Sequence, residues 1–238
     1  MALSEDLTAD ALSGVLRGRP VRAYPALLST EADALAWARA GAASGSVVVA
    51  DYQLSPRGRS GVEWQVTEGR DLAFSVVLRP RLSVEREGWL YTLATAGVAD
   101  ACGAAATVIW PDTVRRPDAA PAAVGVVAEP GAHALDWAVV NILLPACRPP
   151  RALVLAQVLS ALETLAERPV DEVLAEHRSR CETLGRRVSV TLLPLGPNAV
   201  RVAGTAATTL KDGALVVATD DGRRVAVRPQ AVGPVEVA

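Results

Sequence analysis

The chain has 238 residues, half of them hydrophobic, which is enough for one catalytic-sized domain, a small appended module and a sizeable core. A formal net charge of −2 removes any general electrostatic reason for binding nucleic acid or an anionic membrane, so neither is expected as a partner. The acidic opening MALSEDLTAD lacks the basic start and apolar core of a signal peptide, and no run reaches the roughly 18 apolar residues of a spanning helix, which predicts a cytoplasmic protein.

Residues 29–42 open with a Ser/Thr cap and continue with good helix formers, predicting a helix. The short β-branched run 46–54 predicts a buried strand that leads into a loop over 55–61 with Pro56, two glycines and two arginines. Residues 71–80 read as a second strand stopped at Pro80, and 89–103 as a buried helix ended by Gly103. A strand over 106–111 ends at Pro111, and the Pro-rich, charged stretch 112–123 predicts a loop. Two strands, 123–129 and 134–144, meet as a hairpin through the turn at 130–133. Residues 152–185 carry apolar positions at helical spacing, and Pro169 divides them into two helices. From 186 to 229, short β runs alternate with LGPN, KDG and DDG turns, which predicts a small five-stranded barrel.

The fold class is therefore α+β: a mixed sheet with flanking helices over residues 1–184, followed by an SH3-like β-barrel over 185–238. Cys102, Cys147 and Cys181 are far apart and share no zinc-like spacing with His133 or His177, so they read as buried free thiols and no metal site is expected. The two histidines read as structural or solvent-facing rather than as general bases. One compositional feature is sharper: 23 of the 24 basic residues are arginines, and Lys211 is the single lysine.

The order of these elements, and several short words within them, resembles biotin protein ligase, of the superfamily that also holds lipoate ligases and octanoyltransferases, over roughly residues 25–236. The most specific words lie in residues 50–64, where Gln53, Arg57, Gly58, Arg59, Gly61 and Trp64 match the family's ligand loop, Gln-Thr-x-Gly-Arg-Gly-Arg-x-Gly-Arg-x-Trp. Ser29-Thr30 stands at the family's Ser-Thr-Asn helix start, Trp110-Pro111 at its Lys-Trp-Pro-Asn-Asp, and residues 122–129 at its Lys-x-x-Gly-Ile-Leu-x-Glu, with Gly125 matching. Residues 181–190, with Gly204 and Asp212-Gly213 behind them, resemble the entry to the family's C-terminal barrel. The resemblance implies a class II synthetase/biotin ligase-like fold. It also implies a ligand site made by Ser29, Thr30, Gln53, Arg57, Gly58, Arg59, Gly61, Trp64, Trp110 and Gly125.

The implied reaction joins biotin to AMP, using ATP and magnesium, and passes the acyl group to a lysine of a carrier domain. Both steps build negative charge, which positioned cations and N–H donors stabilise by roughly 10²–10³ in rate per donor. The family's two lysine positions here hold Ile109 and Ala122, neither of which carries a charge, so no catalytic residue is assigned. Pro56 removes an N–H from the loop, Val62 replaces an arginine, Glu31 replaces an asparagine, and the family's glycine-rich turn before an Asn falls in residues 139–145, which contain no glycine.

The leading expectation is therefore a catalytically impaired homologue that binds a small acyl ligand, a biotin or lipoyl carrier domain, a carboxylase subunit or a second copy of itself. The other reading is an active ATP-dependent biotin ligase, with biotin, ATP and magnesium as reactants, in which arginines such as Arg115 and Arg116 replace the lysines. A thioester acyl transferase using Cys147 is disfavoured by spacing and by the missing lysine partner. Only about 25 residues precede the Ser29-Thr30 helix, too few for the helix-turn-helix of repressor-type ligases. An open, polar cleft between Arg57, Trp110 and Gly125 would favour ligand binding; filling of it by Ile109, Ala122 and Val140 would close the site.

Overall fold

A computed structural model describes residues 2–117 and 119–238. In chain order its elements are α1 (Ala9–Leu16), β1 (Val21–Tyr24), α2 (Thr30–Arg39), β2 (Val47–Ala50), β3 (Leu72–Leu78), α3 (Trp89–Cys102), β4 (Thr107–Ile109), β5 (Thr113–Arg116), β6 (Ala119–Pro130) and β7 (Leu135–Leu144). They continue with α4 (Arg151–Glu167), α5 (Val170–Arg180), β8 (Arg187–Leu192), β9 (Arg201–Thr209), β10 (Leu215–Ala218), β11 (Arg224–Val227) and β12 (Val232–Val237).

The first seven strands form one mixed sheet in the order β1-β2-β3-β7-β6-β5-β4, in which only β1 and β2 run parallel. Alternation along the strands sends Phe74, Val124, Val126, Val140 and Ile142 to one face, where they pack with Leu90, Ala94, Leu155 and Leu159 of α3 and α4. The other face sends Val48, Val77 and Val139 against Ala34 and Ala38 of α2. The middle strands are covered on both sides, which is why β2 reads as an unbroken apolar run and β3 as one interrupted only by Ser75.

The last five strands make an antiparallel sheet in the order β11-β10-β9-β8-β12. Its core gathers Val188, Val190, Leu215, Val217, Val227 and Val232, and with them Trp110 from just after β4. The Trp110 indole N–H donates to the Gly213 carbonyl at 3.0 Å, and its backbone N–H donates to Thr183 Oγ at 3.0 Å. Trp110, which the resemblance places at the ligand site, thus packs between the two sheets.

Two further readings are corrected. The loop expected over 112–123 is a strand pair, β5 and the start of β6, with Val114 opposite Ala122 and fully buried. Pro121 is accommodated because it falls at a register shift between β5 and β6, where a missing N–H breaks no ladder bond. The expected loop also includes Asp118, which lies outside the described residues. Before residue 29, where the sequence pattern gave no assignment, the chain forms α1 and the edge strand β1. This segment is clamped by Arg151, 1% exposed at the start of α4, which pairs with Asp6 and Asp51 at 2.7 Å each. Among the described residues no helix is long and apolar enough to cross a membrane, and no group of three or more His, Cys, Asp or Glu is placed to hold a metal ion. The three cysteines are free thiols; Cys147 and Cys181 are buried and Cys102 is partly so.

Candidate functional site

The loop after β2 is held to the start of α2 by a parallel bridge between Leu27 and Gln53, with Leu54 N–H donating to the Leu27 carbonyl at 3.0 Å. Beyond it the chain folds back on itself. Gly58 N–H donates to the Val62 carbonyl at 2.8 Å, Gly61 to Gly58 at 3.2 Å, Val62 to Arg59 at 3.2 Å and Trp64 to Pro56 at 3.0 Å. The reversal passes through two left-handed residues, Ser60 at φ 56° and Gly61 at φ 72°. Glycine is required twice more for contact. A Cβ on Gly58 would lie 2.3 Å from Trp64 Nε1, and one on Gly125 would lie 3.1 Å from the Gly58 carbonyl carbon and 3.2 Å from the Arg59 nitrogen. The loop backbone therefore rests directly on β6.

Arg59 is 9% exposed and faces the C-terminal sheet. Its Nε donates to Asp112 Oδ2 at 2.7 Å, one terminal nitrogen donates to the Val232 carbonyl, and the other donates to the Gly233 carbonyl at 3.1 Å. This fork is a strut between loop, β5 and β12. The arginine that the resemblance places in the ligand loop thus has its hydrogen bonds made within the fold. Arg57 remains exposed, and its only hydrogen bond among the described residues is to the Gly61 carbonyl at 3.2 Å.

Beneath the loop lies a buried polar chain. Gln53 Oε1 accepts from Thr30 N–H at 2.8 Å and from Thr30 Oγ1 at 3.2 Å. Ser75 Oγ stands 2.9 Å from Thr30 Oγ1 and 2.8 Å from Asn141 Oδ1, and the Asn141 amide donates to the Glu31 carboxylate. Ser29 caps α2, its hydroxyl accepting from Ala32 N–H at 3.5 Å.

The chain ends at a cleft of about 310 Å³, bounded by Glu31, Gly58, Ser60 and Gly61 on one side, Val126–Ala128 of β6 below, and Glu87, Tyr91, Leu193 and Gln230 opposite. That volume sits at the low end of small-molecule sites, roughly 300–1,000 Å³. Its polar side chains are Glu31, Ser60, Glu87, Tyr91 and Gln230. Burial pushes the Glu31 carboxyl above the ordinary carboxylate range, against the opposing pull of the Asn141 hydrogen bond and Arg57. Burial alone pushes Glu87 up as well. Gln230 brings a buried amide oxygen with no hydrogen-bond partner, whereas the Tyr91 hydroxyl is already donated to the Val126 carbonyl at 3.3 Å. A larger groove of about 670 Å³ between α1 and α4 involves none of the loop residues.

The residues singled out from sequence thus separate into four groups. Gly58 and Gly61 line the cleft; Thr30 and Gln53 belong to the buried chain that leads to it; Gly125 and Trp64 shape the loop. Trp110 and Arg59 serve the joint with the C-terminal sheet. Of the two positions that the resemblance aligns with the family's lysines, Ala122 is fully buried in the main core with Val124 and Val126, on the sheet face opposite Gly125, and Ile109 is half-buried on β4. Val140 also packs into the core, so Ala122 and Val140 do not fill the cleft. Arg115 pairs with Glu182 at 3.1 Å, and Arg116 donates to the Ala120 and Pro145 carbonyls. Lys211 pairs with Asp171 on α5 at 2.7 Å. Glu87, Tyr91, Ser75, Asn141 and Gln230 were not singled out. For two of them a signal existed, because Ser75 and Asn141 are lone polar residues inside strands buried on both faces, where a polar group needs a partner.

No family model matches the chain. Over 116 residues, 47% of this chain, it is 30% identical to the bifunctional ligase/repressor BirA of Bacillus subtilis and 29% identical to that of Bacillus spizizenii. The match spans only 36% of the length of those relatives. In structure it resembles the biotin protein ligase from Aquifex aeolicus solved with biotin and ATP, at a TM-score of 0.66 and 19% identity over 92% of this chain and 99% of that one. It is equally similar to a biotin protein ligase-like protein of unknown function from Silicibacter, at 0.65 and 16% over 97% of each chain. The biotin acetyl coenzyme A carboxylase synthetase from Helicobacter pylori scores 0.61 at 19%, over 88% of this chain and 100% of that one.

Proposed function

We propose that this chain, which has the biotin protein ligase fold, is a ligand-binding member of that group that does not form the acyl-adenylate. The observation that carries the reading is the closed loop. An anion site needs free N–H donors and cations, yet the N–H groups of Gly58, Gly61, Val62 and Trp64 are bonded within the loop and Arg59 is committed to Asp112 and β12. With Ile109 and Ala122 at the positions that the resemblance gives to the family's lysines, only Arg57 at the rim is left near the cleft among these groups to meet triphosphate and acyl-phosphate charge. On this reading biotin, ATP and magnesium are not turned over by this chain.

The ligand site we infer comprises the cleft and the chain of Thr30 and Gln53 behind it. Residues 1–184 and 185–238 act as one body, because Trp110 and Arg59 of the first are embedded in the second. A biotin or lipoyl carrier domain is the partner this fold suggests, acting in the cytoplasm, with a carboxylase subunit or a second copy as further candidates. The competing reading, an active ligase served by arginine, rests on Arg57, which is exposed beside the cleft and within electrostatic reach of Glu31.

The two readings separate in one assay. The purified chain is incubated with biotin, magnesium-ATP and a biotin carrier domain while pyrophosphate and carrier mass are followed. Neither should change. Turnover at ordinary ligase rates, abolished by Arg57→Ala, would establish the arginine-served enzyme instead.

A further inference from the structure

The edge strand β1 has one side of its ladder open. Val21 lies beside Val47 and Ala23 beside Val49, and the Val47 and Asp51 N–H groups donate to the Pro20 and Tyr24 carbonyls at 2.9 and 3.1 Å. Alternate residues of a parallel pair face away from the partner, so the N–H and carbonyl of Val21 and of Ala23 point outward. Among the described residues they have no hydrogen-bond partner. The open run is short. Before it the Arg19 N–H is taken by the Leu16 carbonyl at 3.1 Å, and after it Pro25 has no N–H to give. Along this edge, between β1 and α1, runs a groove of about 350 Å³ lined by Leu3, Leu12, Leu16, Val21 and Ala23, with Gly18 and Arg19 at the α1–β1 turn. Val21 and Ala23 send their side chains to this face, with the main core. Arg22 goes to the other, 4.1 Å from the centre of the Trp37 ring and 3.2 Å from Asp33. At the turn Arg19 pairs with Glu163, while Arg17 is exposed and has no ion pair among the described residues.

We propose that this edge takes up a short extended segment of another protein, antiparallel to β1, in which apolar and acidic residues alternate and whose C-terminal end lies at the turn of residues 17–19. The two residues opposite Val21 and Ala23 exchange main-chain hydrogen bonds with them and place apolar side chains in the groove, the mode by which a sheet edge recognises a peptide. The residue between them stands opposite Arg22 and is acidic, a favourable cross-strand pair. Charge sets the direction, because an antiparallel segment brings its C-terminal carboxylate, rather than its N-terminal ammonium, towards Arg17 and Arg19. A second copy of this chain fits less well. Pairing β1 with itself about a two-fold axis puts Arg22 of one copy directly opposite Arg22 of the other, and like charges so placed destabilise the pair. A longer strand gains nothing, since no outward N–H is free beyond Val21 and Ala23. The site lies apart from the cleft at the ligand loop, and the proposal holds whether or not that cleft turns over biotin.

The probe is a fluorescein-labelled peptide, Ser-Thr-Val-Glu-Val-Glu with a free C-terminal carboxylate, titrated into the full chain and followed by fluorescence anisotropy. Two counterparts isolate the two parts of the proposal. In one, both valines are N-methylated, which keeps charge and side chains but removes the ladder donors. In the other, both glutamates are lysines and the C-terminus is amidated. Ala23→Pro makes the matching change on the protein, because the N–H it removes faces away from β2, and thermal unfolding checks that the variant folds. The parent peptide is expected to bind, and the N-methylated one to bind about tenfold or more weakly, the worth of two hydrogen bonds. The lysine peptide and Ala23→Pro should show losses of similar size. No binding of the parent peptide, or N-methylated or lysine peptides bound as well as the parent, would each overturn the proposal. A dimer in sedimentation that Ala23→Pro disperses would overturn it too, since a second copy would then hold the edge. If Ala23→Pro does not fold, the peptide series on the wild-type chain still decides.

Discussion

Arg59 shows why a matched motif residue is not a matched role. Its side chain is an exact positional match to the family loop, yet its guanidinium holds three acceptors from elsewhere in the fold. Replacing it by methionine keeps most of the bulk and strands Asp112 with the Val232 and Gly233 carbonyls, which should cost on the order of 2–3 kcal/mol of stability. Arg57→Met, on the exposed rim, should stay within about 0.5 kcal/mol of the parent. Urea midpoints of the two variants check the contrast. His177 gives a second residue-level expectation. It is 2% exposed and burial lowers its pKa to about 4, with Arg178 adding to the effect. The unfolded chain would therefore bind this proton near the ordinary value of roughly 6.5 while the folded chain refuses it. Stability should be full above that value and fall as pH drops from about 6.5 towards 4, by on the order of 3 kcal/mol from this group. In His177→Gln the fall across the same window should shrink; equal pH profiles for the two proteins would contradict the assignment.

At the scale of elements, the ligand loop is stable because β6 offers a glycine where the loop backbone comes down. Gly125→Ala places a methyl group 3.1–3.2 Å from the Gly58–Arg59 peptide, so backbone rather than a flexible side chain has to give way. Overpacking of this kind costs about 1–3 kcal/mol, and the lifted loop should be cut faster by trypsin after Arg57 and Arg59. An unchanged cleavage rate would mean the contact is not what seats the loop. The same scale shows what the sequence made legible. The strands over 71–80 and 134–144 and the Pro169 break follow from local pattern, because side-chain periodicity and the geometry of proline are local properties. The pair β5–β6 was hidden by Pro117 and Pro121, since whether proline breaks a strand depends on whether its nitrogen faces a partner, which only the ladder decides. The lining of the cleft was equally hidden. Glu31, Glu87 and Gln230 come from three distant parts of the chain, and nothing in their local spacing tells that they face one another.

Over the whole molecule, the seven-stranded and five-stranded sheets are joined by Trp110, whose indole is 2% exposed in the core of the second sheet. Trp110→Ala opens a large cavity there, at a cost of roughly 3–5 kcal/mol, and should split one cooperative unfolding transition into two. Persistence of a single transition with a small shift would show that the sheets are coupled by other contacts. This joint also fixes where the loop and the cleft lie, since Arg59 reaches β12 only because the second sheet is docked on the first. The functional reading of this chain follows from a loop whose N–H groups and Arg59 are committed within the fold, where adenylate chemistry requires donors and cations aimed at the ligand. The most direct measurement is a single-turnover mixture of the chain in excess over radiolabelled biotin with magnesium-ATP, quenched and separated for biotinyl-AMP. No adenylate above the protein-free blank is predicted; its accumulation in stoichiometric amount would contradict the account.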